Sequence, residues 1–301
     1  MADALLTFCA SLIEAAYRQG VILDDEKKIA YGTQLLFRQG DLIIPINIYS
    51  SKKKGITTVI GGSPKSPLRA VMQQLLNVPV DVPENRAHGW NLWAGTDECG
   101  KGDFFGPLVV SGFICSQTLL PKLASLGIKD SKLLKDTEIC RIAHVLLKQF
   151  PDCIETLSLM PSRYNSLYSD FRKQGKKLNE LLAWMHGRVI VNLHKRYGFD
   201  GVVVDKFARE DLLPASLKEL KGLKIIQRTK AEDDIAVAAA SIISRYRFIQ
   251  AIDALGKTWD MVFPKGASAK VLAAGKTFAQ KHGKSRLTEV SKTHFKTFDK
   301  I

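Results

Sequence analysis

The chain has 301 residues, 46% of them apolar and 25% charged, which is the composition of an ordinary globular protein with one large domain or two. A formal net charge of +14 predicts attraction to polyanions, among which nucleic acid is the commonest partner. No window approaches the roughly 20 consecutive apolar residues of a membrane span, so we expect no integral membrane protein.

The first 80 residues predict a small α+β domain. Residues 4–20, ALLTFCASLIEAAYRQG, have helical apolar spacing and end on a glycine, which favours the position just after a helix. Several β-like runs follow, including LIIPINIYS and GITTVI, with the turn-like SSKKKG between them. A second helix is predicted to begin after Ser66, the N-cap, with Pro67 at its first position. The order is therefore helix, strands, helix.

A linker is predicted at residues 81–89, DVPENRAHG, which are polar and include a proline and a glycine. Residues 1–85 carry only about one net positive charge, so binding of a polyanion by this part of the chain depends on where its cations lie. The run Lys52–Lys54 is one such place. A solvated hairpin tip explains it nearly as well.

Residues 90–301 predict an α/β domain in which strands and helices alternate. The apolar WNLWAG leads into TDECGKGDFFGPL, and FGPLVVSGFIC continues as a strand. Helices are predicted near 136–149 and 179–196, the second ending at Gly198. The buried-looking strand GFDGVVVD then ends on an acid. This alternation predicts some parallel pairing of strands.

Three acidic features stand out in a basic chain. Asp97 and Glu98 lie at the end of one predicted strand, before three glycines in seven residues, and Asp205 ends another strand. Strand ends are where α/β proteins usually build their sites, although a helix cap or loop acid would also explain Asp205. The third feature, residues 232–234, precedes a helix that begins with small residues, and acids are common at helix N-termini in any case. Small side chains would bring that N-terminus close to the strand ends.

Converging carboxylates repel one another and disfavour a phosphate ligand unless divalent cations are present. Mg²⁺ prefers oxygen ligands and binds through a few carboxylates together with substrate phosphate oxygens. Two such ions about 3.5–4 Å apart activate a water and stabilise the leaving oxygen of a phosphodiester. The pattern therefore predicts a nuclease. A non-catalytic nucleic-acid-binding protein would explain the charge, but it has no need of such acids.

The motifs resemble those of the type 2 ribonucleases H. TDECGKGDFFGPLVV is similar to the first family motif, and KDSKLL, VVVD and KAEDDIAVAAASIISRY follow in the family's order. The resemblance covers roughly residues 90–300. It implies an α/β, ribonuclease H-like domain with a mixed sheet and flanking helices.

Several features are most similar to the ribonuclease HIII branch of that family. They are the extra N-terminal unit, Lys101 between two glycines, Glu232 in KAE, and the segments YNSLY and KTHF. The resemblance implies that residues 1–80 form a small α+β domain with a fold like that of the TATA-box-binding protein. That domain would bind substrate. Residues 90–301 would form the catalytic domain.

The resemblance also implies an activity and a catalytic set. The chain would hydrolyse the RNA strand of RNA/DNA hybrids, leaving 5′-phosphate and 3′-hydroxyl ends, and would act as a monomer. Asp97 and Asp205 would hold two divalent ions, Mg²⁺ or Mn²⁺, while Glu98 and Glu232 complete the metal shells or orient the attacking water. Asp233 or Asp234 remains an alternative to Glu232. A second possible activity is cleavage at single ribonucleotides within DNA, as in ribonuclease HII enzymes.

Substrate contacts are expected on two motifs. In Gly100-Lys101-Gly102 the glycines would let the backbone approach a 2′-hydroxyl, the group that distinguishes RNA from DNA, and the lysine would contact the nucleic-acid backbone. Ser131 and Lys132 are further candidate backbone contacts, although a surface turn is an alternative for both. His186 is expected to be packed or hydrogen-bonded, and Cys99 to be a small filler.

The cysteines and the C-terminal charge complete the analysis. Five scattered cysteines without a C-x-x-C pair predict reduced thiols, which argues against a disulfide framework or a structural zinc site and favours the cytoplasm. Between Lys265 and Ile301, nine Lys or Arg stand against two acids. We expect this tail to face a phosphate surface or to be merely solvated.

Overall fold

The computed structural model divides the chain into two compact units. One contains residues 1–84 and 118–127, and the other contains residues 85–117 and 128–301. The residues that the structure describes are 2–51, 55–76, 88–128, 131–206, 212–213, 217, 220 and 222–301. The lysine run at 52–54 and most of the predicted linker, 81–87, lie outside them.

The first unit is an antiparallel sheet with helices. Its elements are α1 (Ala2–Arg18), β1 (Ile22–Ile29), β2 (Gly32–Gln39), β3 (Leu42–Ser51), β4 (Gly55–Ile60), α2 (Pro67–Leu75) and α3 (Leu120–Ser125). The strands lie in the order β1-β2-β3-β4, each antiparallel to its neighbours. The predicted order of helix, strands and helix is confirmed, with Pro67 at the first position of α2.

One face of this sheet forms the core of the first unit. Side chains alternate between the two faces of a strand, so every second residue of β2 and β3 is buried. The buried set includes Leu35, Phe37, Ile44, Ile46 and Ile48 from the strands, Leu12 and Ala16 from α1, and Leu68 and Met72 from α2. Burial of this apolar face stabilises the unit.

The second unit is built on a five-stranded mixed sheet. Its elements are β5 (Leu92–Cys99), β6 (Leu108–Ser116), α4 (Asp136–Gln149), β7 (Ile154–Leu159), α5 (Pro161–Lys173), α6 (Leu178–Tyr197), β8 (Gly201–Asp205), β9 (Lys224–Arg228), α7 (Ile235–Trp259), α8 (Ala269–His282) and α9 (Lys296–Asp299). The strand order is β7-β6-β5-β8-β9. The pairs β7-β6 and β6-β5 are antiparallel, whereas β5-β8 and β8-β9 are parallel. The predicted mixed sheet with flanking helices is confirmed.

The register of β5 and β8 brings two of the predicted acids to one edge of the sheet. Thr96 pairs with Val204 in the parallel ladder, so Asp97 and Asp205 follow as the next residues on adjacent strands. Parallel strands end at the same edge, and both strands end there. The sheet therefore places these carboxylates side by side.

Helix α7 lies directly against β5. A Cβ atom at Gly95 would clash with the backbone of Ala236 and Val237, so only glycine permits this close approach. The predicted approach of the small-residue helix to the sheet is confirmed. Helix α7 is also long and apolar enough to cross a membrane. This corrects the expectation that no segment of the chain has the length and hydrophobicity of a membrane span. Most of its apolar window, 72%, is buried in the protein, so packing against the sheet accounts for its hydrophobicity.

Candidate active site

Asp97 and Glu98 project from opposite faces of β5 at its end. Successive strand side chains alternate between faces, so neighbouring acids cannot share one. Asp97 faces α7, where Ser241 donates a hydrogen bond to it, and Glu98 faces α6, where it meets His186. The glycines that follow turn the chain back into β6, which leaves both acids at the rim of the sheet.

Glu98 is held by a buried histidine. The Nε2 atom of His186 lies 3.3 Å from Glu98 Oε2, and its Nδ1 atom lies 2.9 Å from the hydroxyl oxygen of Thr96. Burial alone would raise the pKa of Glu98. The hydrogen bond from His186, together with the charges of Lys101 and Lys132, outweighs this effect and lowers the pKa below its ordinary value. The prediction that His186 is hydrogen-bonded is confirmed.

Asp97 is destabilised as an anion. Burial and the nearby charges of Glu98 and Asp205 raise its pKa to about 7, although hydrogen bonds from Ser241 and from the Glu98 amide act in the opposite direction. The hydroxyl oxygens of Ser241 and Ser131 lie 2.6 Å apart, and both side chains are buried. Because Ser241 donates to Asp97, Ser131 donates to Ser241. Ser131 therefore supports Asp97 through an intermediate hydroxyl.

A hydrogen bond links the strand end that carries Asp205 to the turn that carries Glu232. Asp205 Oδ1 accepts a hydrogen bond from the amide of Ala231 at 3.3 Å, which ties the end of β8 to the 3₁₀ turn Ala231–Asp233. The Glu232 side chain is 19% exposed, and its Oε1 atom lies 3.8 Å from Lys132 Nζ. The structure thus places the Glu232 side chain beside Lys132, one residue after the amide that contacts Asp205.

The two neighbours of Glu232 have other partners. Asp234 is the N-cap of α7, where its buried carboxylate accepts a hydrogen bond from the Ala236 amide at 2.9 Å and another from Trp93 Nε1 at 3.1 Å. His88 Nε2 lies 3.2 Å from its second oxygen. Asp233 is 48% exposed, and its Oδ2 atom is 3.6 Å from an Arg228 nitrogen. Asp234 therefore serves the helix start and the core.

One cavity of about 370 Å³ collects most of the predicted site residues. Its lining includes Asp97, Glu98, Gly100, Lys101, Gly102, Ser131, Lys132 and Asp205, but not Glu232. Gly100 has φ +93°, and a Cβ atom there would clash with the Pro107 carbonyl, so packing alone requires this glycine. A Cβ atom at Gly102 would meet open space, and its φ is not positive. Packing within the chain therefore does not explain Gly102.

Sequence analysis missed two further cations in this cavity. Arg245 donates to the Ser131 carbonyl at 2.6 Å and to Asp136 Oδ1 at 2.9 Å, while Lys265 donates to Asp136 Oδ2 at 2.6 Å. Through these two cations, Asp136 joins the 3₁₀ turn Ser131–Leu133, α7 and the segment before α8. Arg245 lies within the motif ASIISRY, and this position could have marked it as a site residue. Lys265 is one of many cations in the C-terminal tail, and nothing in the sequence distinguishes it from the others.

The loop after β5 rests on a buried lysine. Lys292 Nζ donates to the carbonyl oxygens of Asp103 at 2.7 Å and Gly106 at 2.8 Å. The Nζ atom also lies 5.9 Å from the centre of the Tyr164 ring, and the Tyr164 hydroxyl is 3.1 Å from His294 Nδ1. The segments YNSLY and KTHF are thus packed together beneath the glycine-rich loop.

Thiol chemistry has no support in this site. Burial and the charges of Asp103 and Asp97 raise the pKa of Cys99 to about 12. The thiolate is the nucleophilic form of cysteine, and this pKa leaves almost none of it at neutral pH. Cys99 packs against the apolar cluster that includes Phe248, in keeping with its interpretation as a filler.

The donor set of the cavity fits hard divalent cations. Asp97, Glu98 and Asp205 offer carboxylate oxygens, which Mg²⁺ and Mn²⁺ prefer. Burial, together with the charges of Glu98 and Asp205, raises the pKa of Asp97, and a bound cation would favour the ionised form again. Among the described residues, no group of three Asp, Glu, His or Cys side chains is already drawn together as a metal site. The carboxylates line one cavity, but they do not already surround a single metal position.

Comparisons with known proteins identify the family. Residues 94–298 match the ribonuclease HII family. The ribonuclease HIII of Protochlamydia amoebophila (strain UWE25) is 42% identical over 209 residues, which cover 69% of this chain and 67% of that protein. The ribonuclease HIII of Chlamydia pneumoniae is 42% identical over 212 residues, covering 69% of each chain.

Structural similarity extends along the chain. The crystal structure of Bst-RNase HIII in complex with Mn²⁺ superposes with a TM-score of 0.64 at 25% identity, covering 98% of this chain and 94% of that one. The matched segment 94–298 contains all the carboxylates described above. The chain therefore belongs to the ribonuclease HII family of enzymes, and the two relatives described above are ribonucleases HIII.

Proposed function

We propose that this enzyme is an endoribonuclease that hydrolyses the RNA strand of RNA/DNA hybrids in a metal-dependent reaction giving 5′-phosphate and 3′-hydroxyl ends. The observation that carries the proposal is the cavity at the end of β5 and β8. It joins the carboxylates of Asp97, Glu98 and Asp205 to four cations, Lys101, Lys132, Arg245 and Lys265, in an enzyme of the ribonuclease HII family. The acids suit a metal-dependent phosphodiesterase, and the cations suit a polyanionic substrate.

Asp97, Glu98 and Asp205 would hold the divalent ions, with Glu232 beside them. When bound, such ions stabilise charge on phosphodiester oxygens and provide a nucleophilic water at neutral pH. The Bst-RNase HIII structure described above is a Mn²⁺ complex, which supports Mn²⁺ or Mg²⁺ as the cofactor.

The protein's own groups prepare this site. His186 holds Glu98 in one orientation and in its ionised form, because its ring is itself fixed by Thr96. Ser241 donates a hydrogen bond to Asp97, and Ser131 in turn is bonded to Ser241, so the two serines orient Asp97. Such supporting contacts orient ligands and adjust their basicity. The site is therefore rigid on both faces of β5.

Recognition of RNA is assigned to the glycine-rich turn. Gly102 faces open space, and its lack of a side chain lets a nucleotide approach the backbone, whose amide and carbonyl groups suit a 2′-hydroxyl. Lys101 and Lys132 lie beside the acids, and we assign them to the nucleic-acid backbone as well as to Glu98 and Glu232. Ser131, in contrast, acts through Ser241 rather than on substrate.

The free cysteines favour a reducing compartment, and we place the enzyme in the cytoplasm. This assignment does not affect the chemistry. A direct test is fractionation of cells that produce the tagged full chain, in which enrichment outside the cytoplasm would contradict it.

The test of the catalytic site is Asp97→Asn, assayed with a labelled RNA/DNA hybrid and Mg²⁺ or Mn²⁺. We expect cleavage to fall by at least about a thousandfold, while hybrid binding is unchanged or tighter because one negative charge is removed. Asp253→Asn, an exposed acid on α7, is the matched control. Turnover of Asp97→Asn at the wild-type rate, with the control also unchanged, would refute the proposed site.

A further inference from the structure

A basic groove lies apart from the carboxylate cavity, between α5 and α6. Its volume is about 500 Å³, and it is lined by the cations Arg172, Lys176 and Lys177, with Tyr168 and Asn179 beside them. No acidic side chain lines it among the described residues. The mechanism proposed above does not use this groove.

The cations of the groove are available to a ligand. All three are exposed, and in the part of the chain that the structure describes none of them forms an ion pair. Lys173, in contrast, is paired with Asp170 at 3.1 Å and does not line the groove. Lys176 is oriented by Gln174, whose Oε1 accepts its hydrogen bond at 2.8 Å. The groove therefore presents concentrated positive charge to solvent.

The groove lies toward the end of the sheet that carries Asp97, Glu98 and Asp205. His186 of α6 contacts Glu98, whereas Asp200, just after the other end of α6, accepts a hydrogen bond from the amide of Leu92 at the start of β5. The N-terminal end of α6 therefore projects beyond the acids. Lys177 precedes His186 by nine residues, which is about 14 Å along a helix.

Packed side chains connect the groove to the glycine-rich loop. Tyr168 lies 5.2 Å from His294 and 5.7 Å from Tyr164, measured between ring centres. Lys292, which holds the loop carbonyls, lies beside the same Tyr164. Burial and the charges of Lys292 and Arg172 lower the pKa of His294 to about 4, as expected when both cations are near. The groove and the loop thus have a fixed relative position.

We infer that this basic groove binds a backbone phosphate of the duplex being cut, at a distance from the scissile phosphodiester. The inference rests on the proposed function, since it requires a nucleic-acid substrate. A guanidinium with two ammonium groups is suited to phosphate, and this contact would fix the position of the duplex without reading its sequence. The ligand class is the phosphodiester backbone.

The test is the double variant Lys176→Gln/Lys177→Gln in the full-length enzyme with its metal, assayed on labelled RNA/DNA hybrids. We expect KM to rise about tenfold with kcat retained, and the slope of log Kd against log salt to become shallower by about one to two. Lys195→Gln/Lys224→Gln is the matched control. It removes the same charge from exposed positions at the opposite end of the sheet, and we expect wild-type values.

A series of shortened hybrids locates the contact. The difference between the variant and the wild type should disappear once the duplex no longer extends from the carboxylates to the groove. A KM and a salt slope equal to those of the control would overturn the inference, including the case in which the groove binds an acidic protein instead. A fall in kcat with unchanged KM would also overturn it. Failure of the wild-type enzyme to cut any hybrid would instead refute the proposed function.

Discussion

His186 Nε2 lies 3.3 Å from Glu98 Oε2, and the imidazole between Thr96 and Glu98 is completely buried. An ionised carboxylate only accepts hydrogen bonds, so Nε2 donates to Glu98, while Nδ1 contacts the Thr96 hydroxyl on the other side of the ring. The two contacts fix the orientation of the ring. A histidine in the middle of a helix thus determines the charge state of an acid at a strand end.

The first prediction concerns this contact. His186→Phe keeps an aromatic ring but removes the donor, so the pKa of Glu98 should rise and the metal affinity of the enzyme should fall about 10- to 100-fold. Loss of the buried hydrogen bonds should also lower the free energy of unfolding by about 1–3 kcal/mol. Metal titrations of cleavage rate, alongside thermal melting, separate these effects.

The control for His186→Phe is His194→Phe, two turns further along α6 and away from the carboxylates. It should leave metal dependence unchanged. If His186→Phe needs no more metal than the wild-type enzyme does, the contact with Glu98 is structural only.

The second prediction concerns which of the three acids after Ala231 is the fourth catalytic carboxylate. Glu232→Gln should lower kcat by orders of magnitude in folded protein, because Glu232 contacts Lys132 of the cavity and follows Ala231, whose amide is bonded to Asp205. Asp233→Asn should retain most activity, since its carboxylate is half exposed and paired with Arg228. Rates and melting temperatures of both variants are the measurement.

Asp234→Ala belongs to the same series. Loss of the N-cap should cost about 0.5–2 kcal/mol of stability, and the Trp93 indole would lose its acceptor as well. We expect a lower melting temperature with activity retained below it. An inactive, fully folded Asp233→Asn or Asp234→Ala next to an active Glu232→Gln would reassign the fourth carboxylate.

Sequence patterns were sufficient for the elements that hold the site. Helical spacing predicted 179–196, and α6 ends on Gly198, whose φ of +60° suits glycine. The run GFDGVVVD predicted a strand ending on Asp205, which is β8. Both signals are local, because they depend on periodicity and on one end residue. The short helix α3 has no such periodicity and was not predicted.

Contacts between distant segments could not be predicted in this way. Ser131 was expected to meet the nucleic-acid backbone, yet its hydroxyl is bonded to Ser241, which is 110 residues away in sequence. Lys292 belongs to a tail expected to face phosphate or solvent, but it is buried against backbone carbonyls. Net charge describes a segment as a whole and does not reveal which of its lysines the fold encloses.

The third prediction is a pH dependence of stability. The pKa of His294 is lowered from 6.5 to about 4, chiefly by burial, so between these pH values the unfolded chain binds a proton that the folded chain does not. Its contribution to stability is therefore complete above pH 6.5 and is lost as the pH falls towards 4. Melting temperatures of the wild type and His294→Gln from pH 4 to 7 test this. A constant difference between the two across that range would contradict it.

The fourth prediction concerns the first unit. A fragment starting at Arg86 should fold and keep the carboxylate cavity, whose residues all belong to the second unit, but should bind hybrid more weakly than the full chain. Residues 118–127 group with the first unit, so the fragment would expose buried residues such as Leu123 and lose solubility. Hybrid affinity measured for both proteins is decisive. Equal affinity would assign the first unit to another role.

The most direct measurement is cleavage of three end-labelled duplexes by the full chain with Mg²⁺ or Mn²⁺. They are a continuous RNA/DNA hybrid, DNA with one embedded ribonucleotide, and all-DNA. We predict efficient cleavage of the RNA strand of the hybrid, with 5′-phosphate and 3′-hydroxyl ends and strict dependence on metal, and no cleavage of all-DNA. Efficient cleavage at the single ribonucleotide with little action on the continuous hybrid, or cleavage that persists after metal removal, would contradict the account.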